Sequence, residues 1–194
     1  MPLLIYDIGL HDGGDTGHYL REGHQVVAVD ANPTMCAAAK VRFRDYIQTE
    51  QLKIVNCGVA ECKGQLDFWI CDDHSEWSSF RREIASRNGA KHRAIAVPCV
   101  AIRDLIGEFG VPHYMKIDIE GYDGICVAGL NSAIAPQYIS IEMDHLCGAS
   151  DLGRLAELGY KGFKIICQNN AWHQVTTGNL AFYRWALINR SFAA

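Results

Sequence analysis

Lys116-Ile117-Asp118-Ile119-Glu120-Gly121-Tyr122 is the stretch on which the reading of this 194-residue chain turns. It continues an apolar strand and sets two carboxylates and a glycine where a central strand empties into a loop. In α/β sheets ligands bind outside the C-terminal ends of the strands, so Asp118 and Glu120 are expected to face one cleft. Packing alone seldom ends a buried strand in charge, because an unpaired buried carboxylate is costly. The plainer alternative is a pair of solvated acids capping the next helix, and for Glu120 that alternative stays open.

Outward from this segment, apolar runs alternate with amphipathic ones. Strands are expected over residues 3–8, 25–30, 52–57, 113–118 and 137–142, with further extended runs over 65–71 and 95–100. Helices are expected over 15–22, 33–46, 102–109, 122–130 and 151–158, with Asp15 as a cap and Pro33 in a first turn. Strands separated by helices imply a parallel sheet with right-handed crossovers. The last two extended runs, 161–168 and 179–187, have no helix between them and are expected to pair as an antiparallel hairpin. Residues 72–92 are polar and interrupted, and Trp77-Ser78-Ser79-Phe80 within them is a candidate lid. With no internal repeat and no low-complexity linker, residues 1–194 read as a single domain.

Composition narrows the function. At 49% apolar and 10% aromatic residues the chain can bury a full core. A formal charge of −4 argues against a nucleic-acid partner, which calls for a basic face. The basic run from Arg81-Arg82 to Lys91-His92-Arg93 is interspersed with Glu83 and reads as a solvated helix and loop. No apolar run approaches the roughly 18 residues of a membrane span, and Met1-Pro2-Leu3 leads straight into a strand, so a soluble cytoplasmic protein is expected. The eight cysteines lie in apolar contexts and read as free thiols. Cys57 and Cys62 lack the second close pair of a zinc knuckle.

The first strand ends in Asp7-Ile8-Gly9-Leu10-His11-Asp12-Gly13-Gly14-Asp15-Thr16, whose glycines let the backbone turn tightly and approach a ligand. The second ends at Asp30, where a carboxylate can take two ribose hydroxyls. Together they point to a nucleoside-containing ligand. The dinucleotide pattern G-x-G-x-x-G is absent, and Asp12 and Asp15 would repel a pyrophosphate. S-adenosylmethionine, with a sulfonium and one carboxylate, suits the loop better than NAD. Its ammonium is expected near Asp7 or the loop carbonyls and its carboxylate at the helix N–H groups.

Asp7-Ile8-Gly9 with its loop, Val29-Asp30-Ala31-Asn32-Pro33, Val55-Asn56-Cys57-Gly58-Val59, Lys116-Ile117-Asp118-Ile119-Glu120-Gly121 and Leu158-Gly159-Tyr160-Lys161-Gly162-Phe163-Lys164 together resemble the FkbM-type S-adenosylmethionine-dependent methyltransferases. The match runs from about residue 3 to residue 168. The first two motifs are generic to class I methyltransferases, whereas the segment at 116–121 and the Gly-Tyr-Lys segment are specific to the family. The resemblance implies an α/β, Rossmann-like fold: a seven-stranded, mostly parallel sheet with an antiparallel C-terminal hairpin and helices on both faces. It also implies O-methylation of hydroxyls in sugars or natural products. Carried over by position, Asp7, Gly9, Leu10, His11, Gly13, Asp15 and Thr16 belong to the loop that holds the methionine part. Asp30 would hold the ribose, Ala31 and Asn32 the adenine edge, and Cys57 with Gly58 its other face. Leu10-His11-Asp12 stands where many members have small residues, and Asp30 where many have Glu. The chain begins at its first strand, so no N-terminal extension is expected to cover the substrate.

Methyl transfer to a hydroxyl needs alignment of donor and acceptor, and a base for the acceptor proton. Asp118, Glu120, Glu142 and His145 fall at the ends of the two central strands and are the candidates, with Asp118 also a cofactor contact. His11 is a further residue that could face the acceptor. Asp118, Glu142 and Asp144 are hard ligands able to hold Mg²⁺, but no spacing forces a metal and none is expected. Two other readings stay open: an NAD-dependent oxidoreductase or epimerase, and a non-catalytic cofactor-binding partner subunit. The acceptor and the oligomeric state are not legible.

Overall fold

In the computed structural model, residues 1–142, 148–166 and 185–189 are described. The chain opens as β1 (Leu4–Ile8), α1 (Gly14–Arg21), β2 (Gln25–Asp30), α2 (Pro33–Arg42), α3 (Arg44–Gln48) and β3 (Leu52–Asn56). Next come β4 (Gly58–Val59), β5 (Gly64–Cys71), α4 (Arg82–Ala85), β6 (His92–Val100), α5 (Ile102–Phe109), β7 (Tyr114–Ile117) and α6 (Asp123–Ala128). β8 (Tyr138–Glu142), α7 (Gly148–Glu157), β9 (Gly162–Ile166) and β10 (Trp185–Asn189) complete it.

The main sheet has seven strands in the order β3-β2-β1-β7-β8-β10-β9. The first five are mutually parallel, and β10 runs antiparallel to both β8 and β9, so the expected terminal hairpin is present. The order reverses direction between β1 and β7, and that switch point opens a crevice above the strand ends. Both strands alternate between two faces. Tyr6 and Ile8 of β1 and Met115 and Ile117 of β7 are fully buried in one core with residues of α5, α6 and α7. Asp7 and Lys116 lie in register on the two strands and point to the opposite face, on the side of α1.

The runs expected to be extended at 65–71 and 95–100 are strands, and they lie outside the main sheet. They form the antiparallel pair β5–β6, which with β4 makes a separate three-stranded sheet. Phe68, Ile70, Val97 and Cys99 form a core of its own there, so this unit buries itself rather than extending the main layer. The helix read over 33–46 is two helices broken at Phe43, which leaves helical geometry (φ −108°, ψ 25°) while its ring packs in the cluster with Leu10, Leu20 and Val26.

The β1–α1 turn is fixed against β7. Gly9 has φ +95°, and a Cβ there would lie 1.9 Å from the Asp118 carbonyl oxygen, a backbone atom that no side-chain rotation can move aside. Replacing Gly9 with alanine is therefore expected to cost more than about 3 kcal/mol, measured as a fall in the urea midpoint. A midpoint equal to the parent's would show that this turn relaxes freely.

Candidate active site at the strand ends

The crevice is a cleft of about 910 Å³ when its open mouth is counted. The β1–α1 loop contributes Gly9, Leu10, His11 and Asp15. The end of β2 contributes Asp30, Ala31 and Asn32, and Cys57 and Gly58 lie across from them. Lys116, Asp118 and Glu120 come from the end of β7. Asp30 is oriented by two backbone donors, His11 N–H to Oδ2 at 2.8 Å and Asn32 N–H to Oδ1 at 2.7 Å. Burial pushes its carboxyl above the usual range, and those two bonds pull it back. A Cβ on Gly58 would strike the Phe80 ring at 2.2 Å, so the wall beside Cys57 must stay bare. Burial lifts the Cys57 thiol to about 12, which makes it an inert lining group.

Three of the expected contacts sit behind this wall. Asp7 and Thr16 are fully buried and bonded to each other, Thr16 Oγ1 donating to Asp7 Oδ2 at 2.6 Å. Gly13 takes left-handed geometry as the residue before α1, away from the lining. The start of α1 already holds carboxylates: Asp12 Oδ1 accepts from Gly14 N–H at 2.8 Å and Asp15 stands in the first turn. An anion is thus not expected there.

The residue that sequence reasoning passed over is Lys116. Its Nζ lies 3.3 Å from Asp7 Oδ1, 3.2 Å from Asp15 Oδ2, 3.6 Å from Asp118 Oδ2 and 3.3 Å from the Gly9 carbonyl. Burial would discharge such an amine, but Asp7, Asp118 and Asp15 outweigh it and hold its pKa above the ordinary lysine value. A lysine inside an apolar strand, two residues before the strand-end acid, was the available signal.

Asp118, Glu120 and Glu142 converge, one carboxylate oxygen of each lying within 4.8 Å of the others. Glu120 has φ +48°, an uncommon conformation for a non-glycine residue, and its carbonyl accepts a hydrogen bond from Ser79 Oγ at 2.7 Å. Arg87 approaches its carboxylate at 3.7 Å. His145 lies outside the described residues, as does Asp144.

Part of the segment read as a lid lines the cleft. Ser75, Glu76, Ser78 and Phe80 line it, and His11 Nε2 meets Ser75 Oγ at 2.8 Å. Trp77 instead stacks on His74 at 4.0 Å, whereas Phe80 packs edge-on against Phe68 at 5.0 Å. All six described cysteines are free. Among the described residues no helix is long and apolar enough to cross a membrane.

The comparisons agree with this geometry. The chain resembles a S-adenosylmethionine-dependent O-methyltransferase from Thermotoga maritima with a TM-score of 0.53 and 8% identity, over 99% of this chain and 60% of that one. Precorrin-6y C5,15-methyltransferase from Geobacter metallireducens gives 0.50 and 11%, over 96% and 76%. Magnesium protoporphyrin IX methyltransferase from Synechocystis, solved with bound S-adenosylmethionine, gives 0.50 and 11%, over 98% and 71%. No curated protein matches the sequence. The fold is that of a Rossmann-like methyltransferase. Residues 7–164 match the methyltransferase FkbM domain, and the chain belongs to that family of S-adenosylmethionine-dependent enzymes.

Beneath the acidic turn, Asp123 is almost wholly buried and accepts from Ile119 N–H at 3.3 Å. Burial, with the charges of Asp118 and Glu142, pushes its pKa up to about 7. The folded chain thus keeps this proton to higher pH than the unfolded chain does. Stability from this group is full below the ordinary 3.8 and is lost as pH rises through about 7. Asp123→Asn keeps an acceptor for Ile119 and removes the loss, so the variant is expected to exceed the parent in Tm at pH 8 but not at pH 4. Equal Tm differences at both pH values would contradict this.

Proposed function

We propose that this protein transfers a methyl group from S-adenosylmethionine to a hydroxyl of a small molecule, such as a sugar or natural product. The observation that carries the reading is the meeting of two halves at one turn. Asp30, oriented by two backbone amides, faces the cleft from β2, and Asp118 faces it from β7, next to the acidic turn that carries Glu120. The residues fit the cofactor. Asp30 keeps acceptor capacity for ribose hydroxyls, and Cys57, Gly58 and Phe68 supply an apolar wall for a base. When bound, S-adenosylmethionine supplies an electrophilic methyl group.

The chain's own part is alignment and removal of the acceptor proton. Asp118 is the leading base: both acids line the cleft and each has one cation nearby, Lys116 for Asp118 and Arg87 for Glu120, but the Asp118 side chain is the more exposed of the two. Glu142 converges with these two acids from a neighbouring pocket and does not line the cleft. Ser75, Glu76, Ser78 and Phe80 wall one side of the cleft and narrow the access of water to the donor.

Calorimetry is expected to show binding of S-adenosylhomocysteine and none of NAD. Binding of NAD alone would overturn the reading in favour of an oxidoreductase. With a panel of hydroxylated acceptors and labelled cofactor, Asp118→Asn is expected to slow turnover more than about tenfold, and full activity would remove Asp118 from the site. Turnover by no member of such a panel, with the cofactor bound, would favour a partner subunit.

A second reading rests on the convergence of Asp118, Glu120 and Glu142, three oxygen ligands suited to Mg²⁺. A chelator stops a magnesium-dependent enzyme and leaves a metal-free one unchanged. The latter outcome is expected, because Lys116 and Arg87 already neutralise part of that charge.

A further inference from the structure

Six carboxylates among the described residues line the cleft: Asp12, Asp15, Asp30, Glu76, Asp118 and Glu120. Against them stand one lysine, Lys116, and one imidazole, His11, with no arginine among those lining residues. A ligand with an anionic group therefore meets repulsion almost everywhere in this cleft. The cofactor proposed above carries one such group, the carboxylate of its amino-acid end. The start of α1 is a poor seat for it, since Asp12 already occupies the Gly14 N–H.

We propose that Lys116 is the seat of the cofactor carboxylate, an inference that rests on the cofactor reading above. The Lys116 ammonium has three N–H donors for four acceptors. Its contact with Asp118, at 3.6 Å, is the longest of its three carboxylate contacts. Exchange of that contact for the ligand's carboxylate replaces one anionic partner with another. The ammonium is not stripped of charge compensation, and Asp118, already in the cleft lining, is freed of its ion pair. The buried Asp7 and the Gly9 carbonyl hold the ammonium in place, so the seat is set before the ligand arrives.

The test is calorimetry with S-adenosylhomocysteine and with 5′-methylthioadenosine, which keeps the nucleoside and lacks the amino-acid end. Lys116→Met is expected to weaken S-adenosylhomocysteine by about tenfold or more while leaving methylthioadenosine within about twofold. Lys116→Arg, which keeps the charge, is expected to recover part of the loss. Because Lys116→Met strands the buried Asp7, the change is also made together with Asp7→Asn. Equal weakening of both ligands would assign Lys116 a merely structural role, and undiminished binding of S-adenosylhomocysteine would exclude it as the seat; either result overturns the proposal. The parent protein gives an independent measurement. It should bind decarboxylated S-adenosylhomocysteine at least about tenfold more weakly than the intact compound, and equal affinity overturns the proposal. Failure of the parent to bind any of these nucleosides would instead remove the cofactor reading itself.

Discussion

The contact of Lys116 Nζ with Asp7 Oδ1, 3.3 Å long and almost closed to water, ties the two strands that flank the switch point. A buried pair of this kind adds little net stability over apolar residues, but removing one partner costs about 3–5 kcal/mol because the other is left charged in the core. The pair therefore acts as a constraint on geometry. It fixes β1 against β7 beneath the cleft, and the same ammonium reaches Gly9 and Asp15 on one side and Asp118 on the other. Loop and strand end cannot shift separately while it is in place.

The close approach of Gly9 to the Asp118 carbonyl adds a steric form of the same constraint. The side of the cleft formed by the β1–α1 turn and the acidic side are thus built as one piece, at the centre of the sheet. The small second sheet contributes differently. It carries Phe68 into the lining and launches the segment that walls one side of the cleft, while keeping its own core. Its removal from the main sheet leaves the order of the seven central strands undisturbed.

Much of this was legible in local sequence. The alternation of apolar and amphipathic runs located the strands and helices, and the glycine loop, Asp30 and Asp118 were read as neighbours of one ligand before any contact was known. Lys116 was not, because its meaning lies in the register of β7 against β1, between residues 109 positions apart. Sequence patterns report which face a residue occupies, but not what stands beside it on the next strand. The same limit explains Asp7 and Thr16. Both belong to the loop motif, and only the fold shows that they bond to each other below the lining. The second sheet was hidden for a related reason: extended runs announce strands without saying which sheet they join.

The segment from Ser75 to Phe80 has unequal attachments. At Ser79 two backbone hydrogen bonds to Trp69, at 2.8 and 3.0 Å, and the hydroxyl bond to the Glu120 carbonyl fasten it to both sheets. At Ser75 a single side-chain hydrogen bond to His11 joins it to the loop. Mechanically it is a beam clamped at one end and pinned at the other. The clamped end bears on the left-handed turn at Glu120, so the acidic turn and this segment share one foundation.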